Sequence, residues 1–329
     1  QCHDDTVATT MFGVKNVSIV PSESKAALEG SYDTKDYRGT TFEISDGGFM
    51  GWLVGSGTYD IISISNDELL VRIIQKGDGF AWYHKFTSSP GGGDVDDGYV
   101  YTNLVWEDDF NTDGAPDENK WTYDLGTGSN GWGNGESQSY TNDSENVIVE
   151  DGSLKITAIK EGANYTSARI KSQGLYEFTY GRVEVRAKLP ASQGTWPAIW
   201  MLGSNFTTVG WPQAGEIDIM EQTGGDKTRV LGTCHWFNTA GSNNASYGEN
   251  TIVENSSSEF HLYTVEWTEG AIKIYLDDVQ YYELTNSVDL PFNADFFLIL
   301  NVAMGGDWFN IDPNFDQSAM EIDYVRVYQ

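Results

Sequence analysis

Three carboxylates are interleaved with apolar side chains in the run Gly215-Glu216-Ile217-Asp218-Ile219-Met220-Glu221. Alternation with period two is the pattern of a strand, and it puts Glu216 and Asp218 on one face with Ile217 and Ile219 on the other. Glu221 breaks the alternation. It faces the far side unless one extra residue, most naturally Met220, is absorbed in a β-bulge. With that bulge all three carboxylates share a face, an arrangement that gains a structural strand little because like charges oppose one another's ionisation. It suits glycoside hydrolysis, in which one carboxylate attacks the anomeric carbon and a second, kept protonated, gives its proton to the leaving oxygen. The retaining route needs the two carboxyls about 5 to 5.5 Å apart, whereas the two backbones lie about 13 Å or more apart along a straight strand. The side chains must therefore lean together across a bent sheet. Asp218 between them can share a proton with Glu216, and the pooled negative charge keeps Glu221 an acid. Spacing by itself leaves the roles of the two glutamates interchangeable. It also leaves open a solvated acidic face on an edge strand.

Aromatic residues weigh against the bland reading. Sugar rings present apolar C–H faces, so polysaccharide sites are paved with Trp and Tyr beside polar groups that fix the hydroxyls. Trp196, Trp200 and Trp211 precede Glu216 closely, and Trp236 follows His235 in the next strand pattern.

The elements that position these residues are strands. Glycine is abundant at 36, proline scarce at 8, and the chain holds 11 Trp and 18 Tyr, which favours twisted strands and tight turns. The polar, glycine-rich stretch from Ser88 to Gly98 reads as a linker and divides the chain. The expected division is a tail over residues 1–12, a small accessory β domain over 13–89, a linker over 90–98 and a large domain over 99–329. In the small domain, residues 42–44, 58–64, 68–74 and 80–86 read as strands, and Trp52, Trp82 and Tyr83 serve its core or a sugar platform. In the large domain strand patterns recur at 146–149, 154–158, 181–189, 195–202, 216–221, 229–236, 261–267, 271–276, 296–303 and 320–328. That rhythm, without a long amphipathic helix, predicts an all-β sandwich or barrel.

Further motifs accompany the carboxylates: Gly131-Trp132-Gly133-Asn134-Gly135-Glu136, Thr166-Ser167-Ala168-Arg169-Ile170, Tyr180-Gly181-Arg182-Val183-Glu184, Trp196-Pro197-Ala198-Ile199-Trp200-Met201-Leu202, Gly232-Thr233-Cys234-His235-Trp236 and Ile322-Asp323-Tyr324-Val325-Arg326-Val327-Tyr328. Together, and in this order, they resemble glycoside hydrolase family 16 in its laminarinase-like branch. The resemblance implies a concanavalin-like β-jelly-roll sandwich with its cleft on the concave face. It implies Glu216 as nucleophile, Asp218 as its assistant and Glu221 as acid/base, with substrate contacts from Asn134, Arg169, Trp200, Trp211 and His235. Trp196 and Trp236 join that set through the aromatic cluster. The resemblance further implies no cofactor for catalysis and a structural calcium held by Asp323 with backbone oxygens near Asp109 and Gly152. The bulged strand points to the laminarinase branch and away from lichenases, whose strand lacks the extra residue.

The expected activity is retaining endo-hydrolysis of β-1,3-containing glucans, either laminarin or mixed-linkage β-1,3/1,4-glucan. A non-catalytic surface glycan-binding protein and a transglycosylase on the same fold are the alternatives. A balance of 19 basic against 49 acidic residues gives a net charge of -30, which repels nucleic acid and sulfated polymers and favours a neutral polysaccharide partner. A metal hydrolase is disfavoured, since the chain has four His without the paired spacing of zinc ligands. No apolar run is long enough for a transmembrane helix. A monomer is expected. Cys234 reads as a buried free thiol, while Cys2 opens the polar run Cys2-His3-Asp4-Asp5, which resembles the start of a mature bacterial lipoprotein. An extracellular or outer-membrane-surface location follows as an expectation.

Overall fold

The computed structural model describes residues 101–239, 242–307 and 309–329 with their side chains, and before them the backbone of six strands. The chain divides into two compact units, Gln1–Tyr99 and Val100–Gln329. In the first, β1 (Ala8–Thr9), β2 (Val17–Val20), β3 (Thr41–Ile44), β4 (Gly57–Ile64), β5 (Glu68–Ile74) and β6 (Ala81–Thr87) form one sheet in the order β1-β6-β5-β4-β3-β2. Cys2, the 90–98 linker and the side chains of Trp52, Trp82 and Tyr83 lie outside the described residues.

The second unit opens with β7 (Leu104–Asp108), β8 (Thr122–Asp124), β9 (Gln138–Tyr140), β10 (Val147–Glu150), β11 (Ser153–Glu161), β12 (Asn164–Ser167) and β13 (Arg169–Lys171). Its middle holds β14 (Gly181–Lys188), β15 (Thr195–Gly203), the single-turn helix α1 (Phe206–Val209), β16 (Glu216–Glu221), β17 (Arg229–Asn238) and β18 (Asn243–Ile252). It closes with β19 (His261–Trp267), β20 (Ala271–Leu276), β21 (Val279–Thr285), β22 (Phe296–Met304) and β23 (Gln317–Tyr328). Two sheets result. Seven strands run in the order β18-β17-β16-β15-β22-β13-β8, and ten build on β21-β20-β19-β14-β23-β11-β12-β9, with β10 beside β11 and β7 beside β23.

Period-two alternation makes the two sheets a sandwich. Ile199, Met201, Ile217, Leu298 and Leu300 from the seven-stranded sheet meet Val183, Val185, Tyr263, Val265 and Ile322 from the other in one core. The opposite face of the seven-stranded sheet is left to carry polar chemistry. Part of it is covered as well: Leu202, Phe297 and Ile299 form a second small cluster under Trp200, which is why all of β22 is buried. Both faces of that strand are apolar except at Asn301.

Candidate active site

The carboxylate strand β16 lies between β15 and β17. Toward β15, Glu216 pairs with Leu202, Asp218 with Trp200, Met220 with Ile199 and Glu221 with Ala198, so Ile219 has no partner. Toward β17, Ile219 and Met220 together face Gly232, between the Asp218–Thr233 and Glu221–Leu231 pairs. A bulge therefore interrupts the strand, but the residue left over toward β15 is Ile219 and not Met220. The extra residue lets two consecutive side chains, Ile219 and Met220, both enter the core. Tyr281 on β21 donates its hydroxyl to the Ile219 carbonyl at 3.3 Å, supplying a partner to a backbone acceptor that the bulge disturbs. Glycine at position 232 leaves room opposite, since a Cβ there would sit 2.7 Å from Ile274 Cδ1 and 3.0 Å from the Tyr281 hydroxyl and require those side-chain ends to shift.

Beyond the bulge Glu221 returns to the face of Glu216 and Asp218, and its neighbours show it. Trp196 donates its indole N–H to Glu221 Oε1 at 2.8 Å. His235, opposite Glu216 on β17, sets Nε2 3.8 Å from Glu216 Oε1 and 3.3 Å from Asp218 Oδ2. The shorter contact is off the hydrogen-bond axis, and Asp218 Oδ2 has no hydrogen-bond partner.

Burial raises the pKa of all three carboxyls, and their surroundings then separate them. Glu216 is pushed well up by burial and by Asp218, with His235 acting against the shift, Glu221 adding to it and Arg169 opposing it. Asp218 is pushed well up by burial and then by Glu221. Glu221 is raised by burial, opposed by the Trp196 N–H and His235, and raised further by Glu136. His235 and Arg169 thus act against the rise at Glu216 without cancelling it, and His235 acts the same way on Glu221, while both causes acting on Asp218 favour its proton.

A second constellation frames the carboxylates. The Arg169 guanidinium lies between two indoles, 4.9 Å from the Trp132 ring centre and 4.7 Å from that of Trp200, and its Nε is 3.0 Å from Asp124 Oδ2. The Trp200 indole N–H donates to Asn301 Oδ1 at 2.7 Å, and Asn301 Nδ2 donates to the Tyr140 hydroxyl at 3.1 Å. That hydroxyl donates to Glu136 Oε2 at 3.3 Å, and the same carboxylate accepts from Gln138 Nε2 at 2.6 Å and, on Oε1, from Asn134 Nδ2 at 3.1 Å. The loop Gly131–Gly135 must fold tightly to allow this. Gly131 has φ 55, and a Cβ there would collide with the Glu136 backbone.

Of the residues singled out from the sequence, Glu216, Asp218 and His235 lie together and Trp196 is bonded to Glu221 on the same face, and Asn134, Arg169 and Trp200 belong to the adjoining network. Trp211 is exposed, its ring centre 6.1 Å from that of His235. Trp236 is a correction. Alternation along β17 turns it away from His235, and it packs edge-on against Phe292 at the core, 6.2 Å between ring centres. Trp132, Glu136, Tyr140, Asn301 and Asp124 enter the site without having been singled out. The sequence signal for Asn301 is a lone amide inside the apolar run 296–304. Cys234 is free and buried.

The residues expected to hold calcium offer one anionic side chain. Asp323 Oδ2 already meets Arg186 Nη1 at 2.6 Å, so one carboxylate oxygen is left for a hard cation, which takes six or more oxygens. In the loop after β16, Lys227 is half-buried and donates to the Thr195 carbonyl at 2.7 Å and hydroxyl at 2.8 Å. Burial lowers its pKa to about 7.

The sequence profile of glycosyl hydrolases family 16 matches residues 134–326, which include the carboxylate strand and the framing residues other than Asp124 and Trp132. The chain belongs to this family. A family 16 fold is also what the solved structures show. A LamA variant from Z. galactanivorans in complex with laminaritriose and laminaritetraose superposes with a TM-score of 0.65 at 45% identity, covering 70% of this chain and 100% of that one. SCLam, a non-specific endo-β-1,3(4)-glucanase of the family, superposes with a TM-score of 0.64 at 41% identity over 70% of this chain and 93% of its own. Among curated relatives, a β-glucanase of Rhodothermus marinus is 41% identical over 72% of this chain and 89% of its own length.

Proposed function

We propose that this chain is a retaining endo-β-glucanase acting on β-1,3-containing glucans, with Glu216 as nucleophile and Glu221 as acid/base. The observation that carries the hydrolytic reading is the bulge at Ile219 and Met220, which sets both glutamates and Asp218 on one face beside Trp196, Trp200 and His235. Glu216 attacks the anomeric carbon as the glycosidic bond breaks, and Glu221 passes its proton to the departing oxygen, leaving a covalent glycosyl-enzyme. Glu221, now a carboxylate, takes a proton from the water whose oxygen attacks the same carbon and releases Glu216. Asp218, which keeps only 5% of its side chain exposed, retains its proton through this cycle and donates to the nucleophile. His235 and Arg169 act against the rise that burial and Asp218 impose on Glu216, and the anionic form that attack requires rests on Asp218 keeping the proton. The tryptophans offer stacking faces, and the net charge of -30 suits an uncharged polymer.

The relatives' substrates support either laminarin or mixed-linkage glucan. Reducing-sugar release from laminarin, mixed-linkage β-glucan, curdlan, agarose and carboxymethyl-cellulose, with Glu216→Ser and Glu221→Ala alongside, tests the assignment. Release from the β-1,3-containing glucans alone, lost in both variants and giving the β-anomer first, is the expected result. Binding without release identifies a glycan-binding protein instead, and longer products at high oligosaccharide concentration identify a transglycosylase. A weak structural calcium at Asp323 and a cell-surface location through Cys2 belong to the same proposal. Chelation that lowers the melting temperature tests the first, and the mass of the N-terminal peptide from the native host tests the second.

A further inference from the structure

The carboxylate face holds a donor set that the sequence spacing conceals, because its members stand on two strands. Glu216, Asp218 and His235 each offer one atom, and these atoms all lie within 4.8 Å of one another. We infer that these three residues bind a divalent transition-metal ion, zinc(II) or copper(II), and that the bound ion blocks the enzyme.

Three observations support the site. Tetrahedral zinc with bonds of about 2.0 to 2.1 Å spaces its ligand atoms about 3.3 to 3.4 Å apart, and His235 Nε2 is 3.3 Å from Asp218 Oδ2 with Glu216 Oε1 3.8 Å from the same nitrogen. Two of the three edges are thus near that spacing, and the third, between the two carboxylates, is no longer than 4.8 Å and closes by side-chain rotation. Asp218 Oδ2 is buried without a hydrogen-bond partner, on a side chain only 5% exposed, so an oxygen aimed at the other two donors lacks the partner a buried polar atom requires. Finally, two carboxylates with one imidazole suit zinc or copper, whereas calcium and magnesium take six or more oxygens. Arg169, a cation that acts on Glu216, is already tied to Asp124 at 3.0 Å.

The ion does no chemistry here. It occupies the Glu216 oxygen that must attack the anomeric carbon and fixes Asp218 as a ligand, so zinc and sugar exclude each other. Binding rests on geometry alone; inhibition rests on the proposed hydrolytic roles, and the two are measured separately.

Zinc chloride is titrated by calorimetry into the full chain after chelator treatment and desalting, in a Cys2→Ser, His3→Ala background that removes the soft ligands of the tail. One saturable site is expected. His235→Gln and Asp218→Asn, each checked for an unchanged melting transition, weaken it by at least about tenfold, since even an outer partner of a metal ligand is worth that much. In Glu221→Ala, which cannot turn it over, a β-1,3-linked glucose trimer competes with zinc. Undiminished zinc affinity in both ligand variants, or simultaneous binding of zinc and trimer, overturns the site. In the parent background, chelated enzyme retains full activity on laminarin and zinc inhibits it with a constant matching the calorimetric Kd. Binding without inhibition, or activity lost on chelation and restored by zinc, overturns the inhibitory role. Absence of laminarin hydrolysis under all conditions counts against the hydrolase reading while leaving the calorimetric result standing.

Discussion

Deletion of Met220 separates the two things that the bulge does. In the ladder with β15, Glu216 stands opposite Leu202 and Glu221 opposite Ala198, a span of about 13 Å at about 3.3 Å per residue. A strand without the extra residue also takes four steps from one glutamate to the next. The shortened strand therefore keeps its second glutamate on the same face and opposite Ala198, so the catalytic pair survives. Core packing does not. Met220 is fully buried, and losing a side chain of that size from a core costs about 2 to 5 kcal/mol. At about 2 to 4 °C per kcal/mol for a domain of this size, the melting temperature falls by roughly 4 to 20 °C. Well below the new transition, kcat/KM on laminarin stays within about tenfold of the parent, or about 1.4 kcal/mol. Insertion of one alanine after Asp218 does the reverse, turning Glu221 into the core and removing general acid catalysis, a loss of about 100- to 10,000-fold. Reducing-sugar kinetics and scanning calorimetry on both variants decide the matter. A folded deletion variant with activity reduced a thousandfold would refute the reasoning, since face and rung would then be insufficient to explain the geometry.

Two substitutions move the acid in opposite directions. Glu136 raises the pKa of Glu221 and the Trp196 N–H lowers it, so Glu136→Gln shifts the alkaline limb of the kcat/KM profile to lower pH and Trp196→Phe shifts it to higher pH. Shifts of the same sign would sink the assignment of Glu221 as the acid. Lys227 titrates near 7 in the folded chain against an ordinary 10.5, so the unfolded chain holds more protons between those values and stability rises with pH across them. Urea melts at pH 6, 8 and 10 should show the parent gaining on Lys227→Met as pH rises, and a constant difference would exclude a half-buried, neutral lysine. Gly232→Ala puts a methyl group against the movable ends of Ile274 and Tyr281, which costs about 1 kcal/mol, the low end of overpacking, and is read as a lower denaturation midpoint.

Much of the catalytic strand was legible because alternation is local. The carboxylates, their bulge and the neighbouring Trp196 and Trp200 all follow from period two along two short segments. Other elements carried no such signal. Strand β18 is polar and largely exposed, and it exists because β17 offers it a full ladder from Arg229–Ile252 to Asn238–Asn243. Trp236 looked like a platform beside His235, yet adjacent residues on a strand face opposite sides, so composition misled where alternation would have corrected it. The framing network was invisible for a different reason: Trp200 and Asn301, or Arg169 and Trp132, are far apart in sequence and meet only through the sheet.

The sequence by itself determined that three carboxylates and several tryptophans would lie on strands, and that Glu216 and Asp218 shared a face, because those properties depend on neighbours a few residues away. Tertiary structure decided which residue the bulge sets aside, which indoles grip Arg169, which amide anchors Trp200 and which imidazole stands between Glu216 and Asp218. Those choices depend on strand order and register, which are fixed by packing one whole sheet against another.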